Sequence, residues 1–100
     1  AVPDDLVEEA LAVVRETLTN VAKHAEASTV DLRIQVDREL SIEVVDDGVG
    51  LSESTERRSG LANLAARAKK HSGSFAAYRA PAGGTAIEWV VPLVSDTSET

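Results

Sequence analysis

The stretch VDLRIQVDRELSIEVVDDGVG, residues 30–50, decides the fold because it contains two alternating runs followed by a glycine-containing loop. Apolar residues occupy every second position of these runs: Val30, Leu32, Ile34 and Val36 in the first, and Leu40, Ile42 and Val44 in the second. Such alternation is typical of half-buried strands, and the polar turn Asp37-Arg38-Glu39 between the runs predicts a hairpin. The second strand leads into Asp46-Asp47-Gly48-Val49-Gly50, which we interpret as a loop.

A helix is predicted before this hairpin, from about Leu6 to Ala25, with Asp4 or Asp5 as its cap. Residues at helical spacing predict its apolar face: Val7, Leu11, Val14, Leu18, Val21 and Ala25. The segment that follows the hairpin loop, residues 51–59, is polar and has no period, so we expect an exposed loop there.

A second helix is predicted to open at Gly60 and to end at Gly73. Its apolar side consists of Leu61, Leu64, Ala65 and Ala68. Two strands are predicted after it, residues 74–80 and 86–91, and the polar tail 94–100 is expected to be disordered. The order of elements predicts one domain, residues 1–100, with an α/β (α+β) two-layer sandwich fold: a mostly antiparallel sheet with helices on one face.

Composition excludes several classes of function. The 100 residues carry a net charge of −7 and only three aromatic side chains, which disfavours binding to nucleic acid. No apolar run approaches the roughly 18 residues of a membrane span, so we expect no direct membrane contact. The absence of cysteine fits a cytoplasmic location. The absence of methionine leads us to expect a piece of a longer protein.

The first helix carries an unusual polar stripe. Glu16, Asn20, Lys23 and His24 lie at positions i, i+4, i+7 and i+8, which share one helix face, roughly opposite the apolar one. A solvated face would explain the stripe, but Asn20 is a poor helix former and suggests a task. A carboxylate, an amide, an ammonium and an imidazole together suit a complex of Mg²⁺ with phosphate.

Three glycine-containing segments add to this pattern. Asp46 ends a strand and is followed by Gly48 and Gly50, which permit close approach of the backbone to a ligand. Ser59-Gly60-Leu61 begins the second predicted helix, where free N–H groups suit a phosphate. Gly83-Gly84-Thr85 precedes the last strand. Taken singly, these segments also fit ordinary turns and an ordinary helix start.

In this order, the four segments resemble the ATP-binding domain of sensor histidine kinases, within the Bergerat-type group shared with gyrase B, Hsp90 and MutL. Residues 16–24 are similar to the N box, DDGVG to the G1 box, SGLANLAARAKKHSG to the G2 box and its helix, and GGTAIEWVVPL to the closing strand. The similarity covers about residues 6–93. The sequence ETLTNVAKHAEAS and the short lid, the segment between Gly50 and Ser59, resemble those of the nitrate-sensor and lipid-fluidity-sensor kinases. This subgroup also includes the mycobacterial haem oxygen-sensor kinases.

The resemblance implies roles at the adenine end of a bound ATP. Asp46 would accept a hydrogen bond from the adenine amino group, and Thr85 would bind beside it. Gly48 and Gly50 would let the backbone pass close to the nucleotide.

The resemblance also implies roles at the phosphate end. Asn20 would ligate Mg²⁺, and Glu16 would be the catalytic carboxylate that polarises a water or the attacking nucleophile. The phosphates would be contacted by Lys23 or His24 and by the backbone N–H groups of Gly60 and Leu61. Arg58 stands where the family's G-x-G-L has its first glycine, so it either contacts phosphate or weakens closure of the lid.

The family implies a function in two-component signalling. The domain would bind Mg·ATP and present the γ-phosphate to a histidine on a separate dimerisation domain, from which the phosphoryl group passes to a response regulator. Neither His24 nor His71 has the sequence context of a phosphoacceptor. Two alternatives remain at this point: an anti-sigma-factor-like or degenerate nucleotide-binding interaction module of the same fold, and a sandwich that binds no ligand.

Overall fold

The computed structural model describes residues 2–25, 28–48, 55–81 and 83–93. Its four strands are β1 (Val30–Val36), β2 (Glu39–Asp46), β3 (Ser74–Arg79) and β4 (Thr85–Pro92). They form one sheet in the order β1-β2-β4-β3, in which every neighbouring pair is antiparallel. The predicted hairpin and the predicted α+β sandwich are therefore confirmed.

Helix α1 spans Asp4–Asn20 and continues as a π-helical turn, Val21–Ala25. The N-cap is Pro3, whose backbone is extended, and no side chain caps the helix. The prediction that Asp4 or Asp5 provides the cap is therefore wrong. Both carboxylates lie in the first turn, where they interact favourably with the helix dipole.

Helix α2 spans Thr55–Lys70 and packs against β3 and β4. The predictions that Gly60 opens this helix and that residues 55–59 belong to a loop are wrong, because the helix begins at Thr55. The free N–H groups of its first turn belong to residues 55–58, so those of Gly60 and Leu61 lie in the helix interior. Residues 51–54 and the tail 94–100 lie outside the described residues.

The core lies between the two helices and the inner face of the sheet. Its buried residues are Leu6, Val13, Leu40, Ile42, Val44, Leu64, Ala68, Trp89 and Val91. Trp89 is fully buried, and its indole Nε1–H donates a 3.1 Å hydrogen bond to the carbonyl oxygen of Leu64. This bond joins β4 to α2 and keeps the polar atom of the largest core side chain paired. Within the described part of the chain, neither helix has the length and apolar character that crossing a membrane requires.

The buried face of α1 differs from the predicted one. Leu6, Val13, Thr17 and Asn20 are buried, whereas Val7, Leu11 and Leu18 are exposed. The prediction placed the apolar residues of the helix against the sheet and Asn20 on roughly the opposite side. The structure instead turns the face that carries Asn20 inward, while Val14 and Val21 pack at the edge of the core.

Strand β1 is exposed along its whole length. Val30, Leu32, Ile34 and Val36 have exposed fractions of 40%, 43%, 50% and 56%. The prediction of a half-buried strand is therefore wrong for β1, although it is correct for β2. This difference arises from where β1 lies in the sheet. The described contacts of the helices are with β2, β3 and β4, whereas β1 is the edge strand beyond β2.

Candidate functional site

The C-terminal end of α1, which carries Glu16 and Asn20, contacts helix α2 at Gly60. Asn20 is buried, with 5% of its surface exposed, and Glu16 is half-buried one turn earlier. A Cβ atom placed on Gly60 would lie 2.9 Å from Asn20 Nδ2, 3.2 Å from Asn20 Oδ1 and 3.2 Å from Glu16 Oε2. Three predicted site residues are therefore in one place, and glycine is what allows the helices to come so close.

The amide of Asn20 has a buried donor without a partner. Its Nδ2 atom makes no hydrogen bond to any residue that the structure describes. A buried donor left unpaired costs free energy, typically about 1–3 kcal/mol. Such a cost is characteristic of sites that a ligand completes.

The π-turn after Asn20 changes the geometry of the predicted stripe. Residues in a π-turn pair with a wider spacing than in an α-helix, so the positions of Lys23 and His24 do not continue the α-helical face of Glu16 and Asn20. Lys23 is exposed, and only the backbone of His24 is described. Single π-turns within α-helices frequently mark functional sites.

Asp46 is the buried carboxylate at the end of β2, with 4% of its surface exposed. Its Oδ1 atom accepts hydrogen bonds from the backbone N–H of Gly48, at 2.9 Å, and of Thr85, at 3.3 Å. Thr85 is 1% exposed, and its Oγ1 has no hydrogen-bond partner in the described part of the chain. The structure thus brings Asp46, Gly48 and Thr85 together and leaves a buried hydroxyl beside a buried carboxylate.

Gly84 is a residue of this site for which the sequence suggested no separate role. It has φ +80°, and a Cβ atom here would collide with the backbone carbonyl of Asp46 and lie 2.9 Å from the Cα atom of Asp47. Only glycine tolerates both the positive φ and this approach. The usable signal in the sequence was the Gly83-Gly84 pair directly before a strand.

Asp47 was also not assigned a role from the sequence. Its Oδ1 atom accepts hydrogen bonds from the backbone N–H groups of Ser28, at 2.8 Å, and Thr29, at 2.9 Å. These donors, with Thr29 the larger contributor, hold the pKa of the Asp47 carboxyl below its usual range. The two adjacent aspartates therefore differ in function: Asp46 is buried in the site, and Asp47 is exposed and binds the segment before β1.

Some predicted site residues are only partly described. Gly50 lies outside the described residues, and Arg58 is described by its backbone alone. Leu61 is half-buried and packs against the core.

The chemistry of the two groups is complementary. A buried carboxylate with a neighbouring hydroxyl, as at Asp46 and Thr85, can accept a hydrogen bond from an amine and pair with a ring nitrogen. An amide and a carboxylate, as at Asn20 and Glu16, offer oxygen atoms to a hard cation and a donor to phosphate. Among the described residues, no three histidine, aspartate or glutamate side chains form a metal-binding cluster.

Comparison with known proteins agrees with this chemistry. The sequence profile of the family described as histidine kinase-, DNA gyrase B- and HSP90-like ATPases matches residues 7–95. The ATP binding domain of PrrB from Mycobacterium tuberculosis, known from a crystal structure, has a similar fold, with a TM-score of 0.71 and 29% sequence identity. That match covers 88% of this chain and 69% of the other.

Two curated proteins are similar in sequence. The chain is 34% identical over 94 residues to the sensor protein NarQ homolog of Haemophilus influenzae, a match that covers 90% of this chain and 16% of that protein. It is 36% identical over 92 residues to an uncharacterized sensor-like histidine kinase of Chloroflexus aurantiacus, with 83% and 15% covered. The chain thus spans about a sixth of the length of the curated relatives it matches.

Proposed function

Since the chain belongs to the family of histidine kinase-, DNA gyrase B- and HSP90-like ATPases, we propose that it binds Mg·ATP and presents the γ-phosphate to a histidine on a separate dimerisation domain. The phosphoryl group then passes to an aspartate of a response regulator. The ATP site lies between the end of α1, the start of β4 and the loop after β2. The observation that carries the proposal is the buried Asp46 carboxylate beside the unpartnered hydroxyl of Thr85.

The adenine is recognised by Asp46. Both hydrogen bonds from Gly48 and Thr85 end at Oδ1, and the proposal assigns Oδ2 to the adenine amino group. The Thr85 hydroxyl, which is unpaired among the described residues, would bond to a ring nitrogen or to a bridging water. A carboxylate accepts from the amino group of adenine but not from the carbonyl oxygen of guanine, so Asp46 also sets the base preference.

The phosphates lie at the other group. The buried Asn20 Nδ2 would donate a hydrogen bond to a phosphate oxygen, and Asn20 Oδ1 would be the protein ligand of Mg²⁺. The residues fit this ion, because Mg²⁺ typically takes one or two protein oxygens and fills its octahedron with phosphate oxygens and water. When bound, it neutralises charge that develops on the transferred group. Lys23 or His24, and Arg58, remain predicted phosphate contacts.

Glu16 and Gly60 complete the phosphate end. Glu16 lies beside Asn20 at the contact with Gly60, where its carboxylate orients and polarises the incoming nucleophile. Gly60 acts through its missing side chain, which leaves room for both groups, and not through the free N–H that the sequence suggested. Gly50 and Leu61 remain predicted neighbours of the nucleotide.

The test is calorimetric titration of ATP into the 100-residue chain, with and without Mg²⁺, and into the Asp46→Asn variant. We expect the parent to bind ATP and the variant to lose about tenfold or more in affinity, since one buried, charged hydrogen bond is removed. Asp37→Asn, the same change in the exposed β1–β2 turn, is the matched control and should bind as the parent does. Failure of the parent to bind millimolar Mg·ATP would refute the proposal for this chain.

A further inference from the structure

We propose that Asp47 is a positioning residue of the ATP site, which sets the separation between the groups that bind the adenine and the groups that bind the phosphates. The inference rests on the proposed function and extends it to a residue that does not contact the nucleotide. It starts from the two hydrogen bonds that the Asp47 carboxylate accepts from Ser28 and Thr29.

Asp47 continues the β1–β2 ladder by one pair. Val30 is paired with Asp46 in the register of the hairpin, so Thr29 lies opposite Asp47. The backbone N–H of Asp47 donates to the carbonyl oxygen of Thr29 at 3.3 Å, and the side chain returns over the same segment to bind the N–H groups of Thr29 and Ser28. Three hydrogen bonds therefore hold Ser28 and Thr29 to the residue that follows Asp46.

The segment that is held connects the two parts of the site along the chain. Asn20 ends α1, the π-turn Val21–Ala25 follows, and Ser28 comes three residues later. Asn20 lies against Gly60, and Asp46 accepts a hydrogen bond from the backbone N–H of Thr85. Asp47 holds Ser28 and Thr29, which follow in the sequence the π-turn that contains Lys23.

Charge strengthens this attachment. The backbone N–H groups, that of Thr29 first, keep the pKa of Asp47 below its usual range, and both hydrogen bonds to its carboxylate are charge-assisted. The Oδ1 atom of Asp47 accepts both of these backbone hydrogen bonds, which partly offsets the negative charge that the carboxylate brings near the phosphates.

The role predicts a difference between ligands. Adenosine uses only the Asp46 end, whereas ATP must reach both ends at once, so only ATP depends on their separation. In Asp47→Ala, we expect the affinity for Mg·ATP to fall about tenfold, as expected for loss of charged hydrogen bonds, while the affinity for adenosine stays within about twofold. Asp47→Asn keeps an acceptor oxygen at the same place and should restore most of the affinity for Mg·ATP.

The experiment titrates adenosine (by NMR) and Mg·ATP (by calorimetry) into the parent chain and both variants, below their unfolding temperatures. Amide hydrogen exchange of the same proteins without ligand reports the attachment directly: the Ser28 and Thr29 amides should exchange faster in Asp47→Ala than in the parent and in Asp47→Asn. If Asp47 only stabilised the fold, Asp47→Ala would weaken adenosine and Mg·ATP binding by the same factor. Each titration would then detect the same reduced fraction of folded protein.

The outcomes separate the two proposals. A parent that binds neither ligand refutes the proposed function and this role with it. A parent that binds both, together with an Asp47→Ala variant that binds Mg·ATP equally well, overturns only the role of Asp47. An equal loss of adenosine and Mg·ATP in Asp47→Ala also overturns it, since Asp47 would then support the adenine end alone. Unchanged exchange at Ser28 and Thr29 would show that other contacts hold the segment.

Discussion

The backbone N–H of Thr85 donates a 3.3 Å hydrogen bond to Oδ1 of Asp46, across 39 positions of the sequence. The bond joins the first residue of β4 to the last residue of β2, two strands that are paired in the sheet. It fixes the carboxylate of Asp46 from one side, and the N–H of Gly48 fixes it from the other. A carboxylate held by two backbone donors is pre-organised for a ligand, which lowers the entropy cost of binding.

The turn before Thr85 makes this arrangement possible, and it can be tested by a pair of glycine substitutions. Gly83 and Gly84 both have positive φ, but a Cβ on Gly83 would meet nothing within 4 Å, whereas one on Gly84 would collide with the backbone of Asp46. Gly83→Ala should cost about 1–2 kcal/mol of unfolding free energy, from the positive φ alone. Gly84→Ala should cost about 1–3 kcal/mol more, from the collision.

The measurement is urea unfolding of both variants, followed by titration with Mg·ATP at a temperature where they are folded. The Gly84→Ala protein should also bind nucleotide more weakly, because Asp46 is displaced, while Gly83→Ala should bind as the parent does. Equal losses of stability in the two variants would show that Gly84 does not approach Asp46 as described.

Gly60 allows a test in which stability and binding change in opposite directions. Alanine is favoured over glycine inside a helix by about 0.8–1.0 kcal/mol, so Gly60→Ala gains local helix stability. Its Cβ would lie 2.9 Å from Asn20 Nδ2, the movable end of a side chain, which must rotate away. We expect an unchanged or higher unfolding free energy together with about a tenfold weaker affinity for Mg·ATP, since Asn20 loses its orientation.

Ser59→Ala is the matched control, because Ser59 is exposed in the same helix. It should raise helix stability slightly and leave the affinity unchanged. Thermal unfolding and calorimetric titration of both variants decide the matter. Unaltered Mg·ATP binding by Gly60→Ala would mean that the orientation of Asn20 does not contribute to the site.

The strands and turns could be predicted from the sequence where alternating apolar residues and turn residues mark them. Alternation places Leu40, Ile42 and Val44 on the inner face of β2, where they are buried. The same argument failed for β1, since alternation shows which side chains share a face and not whether a helix covers that face. Coverage depends on where α1 lies across the sheet, and this is a property of the tertiary packing.

The candidate site shows a second limit of sequence reasoning. The hydrophobic pattern of α1 favoured a face through Leu11 and Leu18, but the helix buries Thr17 and Asn20 instead. The polar residue that the sequence identified as functional is therefore on the buried side. Asp47 was missed for a different reason: its partners are backbone N–H groups, which leave no signature in side-chain sequence.

A pH dependence of stability is expected from Glu9, which is 8% exposed between the two helices. Burial alone would raise the pKa of Glu9, but the hydrogen bond from Arg67, at 3.0 Å, and the charges of Arg67, Lys70 and His71 outweigh it and lower the pKa. A carboxyl with a lowered pKa in the folded state stabilises the fold above its ordinary pKa, about 4.3. This contribution is lost as pH falls through the lowered value.

Glu9→Gln should therefore be less stable than the parent at pH 7, by about 1–2 kcal/mol, because a charged hydrogen bond is lost. The difference between variant and parent should shrink as the pH falls from about 5 to below the folded pKa of Glu9. Glu8→Gln, at the exposed neighbouring position, is the control and should differ little from the parent at any pH. Urea unfolding across the pH range gives the result, and a difference that is constant with pH would contradict the assignment.

Replacing two buried threonines by valine should change the unfolding free energy in opposite directions. Thr85 Oγ1 is buried and has no hydrogen-bond partner among the residues described, whereas Thr17 Oγ1 donates a 2.7 Å bond to the carbonyl oxygen of Val13. Thr85→Val replaces an unpaired hydroxyl by a methyl group of similar size, which should raise the unfolding free energy of the ligand-free chain by about 1 kcal/mol. Thr17→Val removes a satisfied hydrogen bond and should lower the unfolding free energy by a similar amount.

The same two variants test whether the Thr85 hydroxyl binds nucleotide. If it does, Thr85→Val must also weaken the binding of Mg·ATP, while Thr17→Val leaves the affinity of the folded protein for Mg·ATP unchanged. Chemical unfolding and calorimetry on the two variants test both signs. A Thr85→Val protein that is more stable and binds Mg·ATP undiminished would remove this hydroxyl from the site and leave adenine recognition to Asp46.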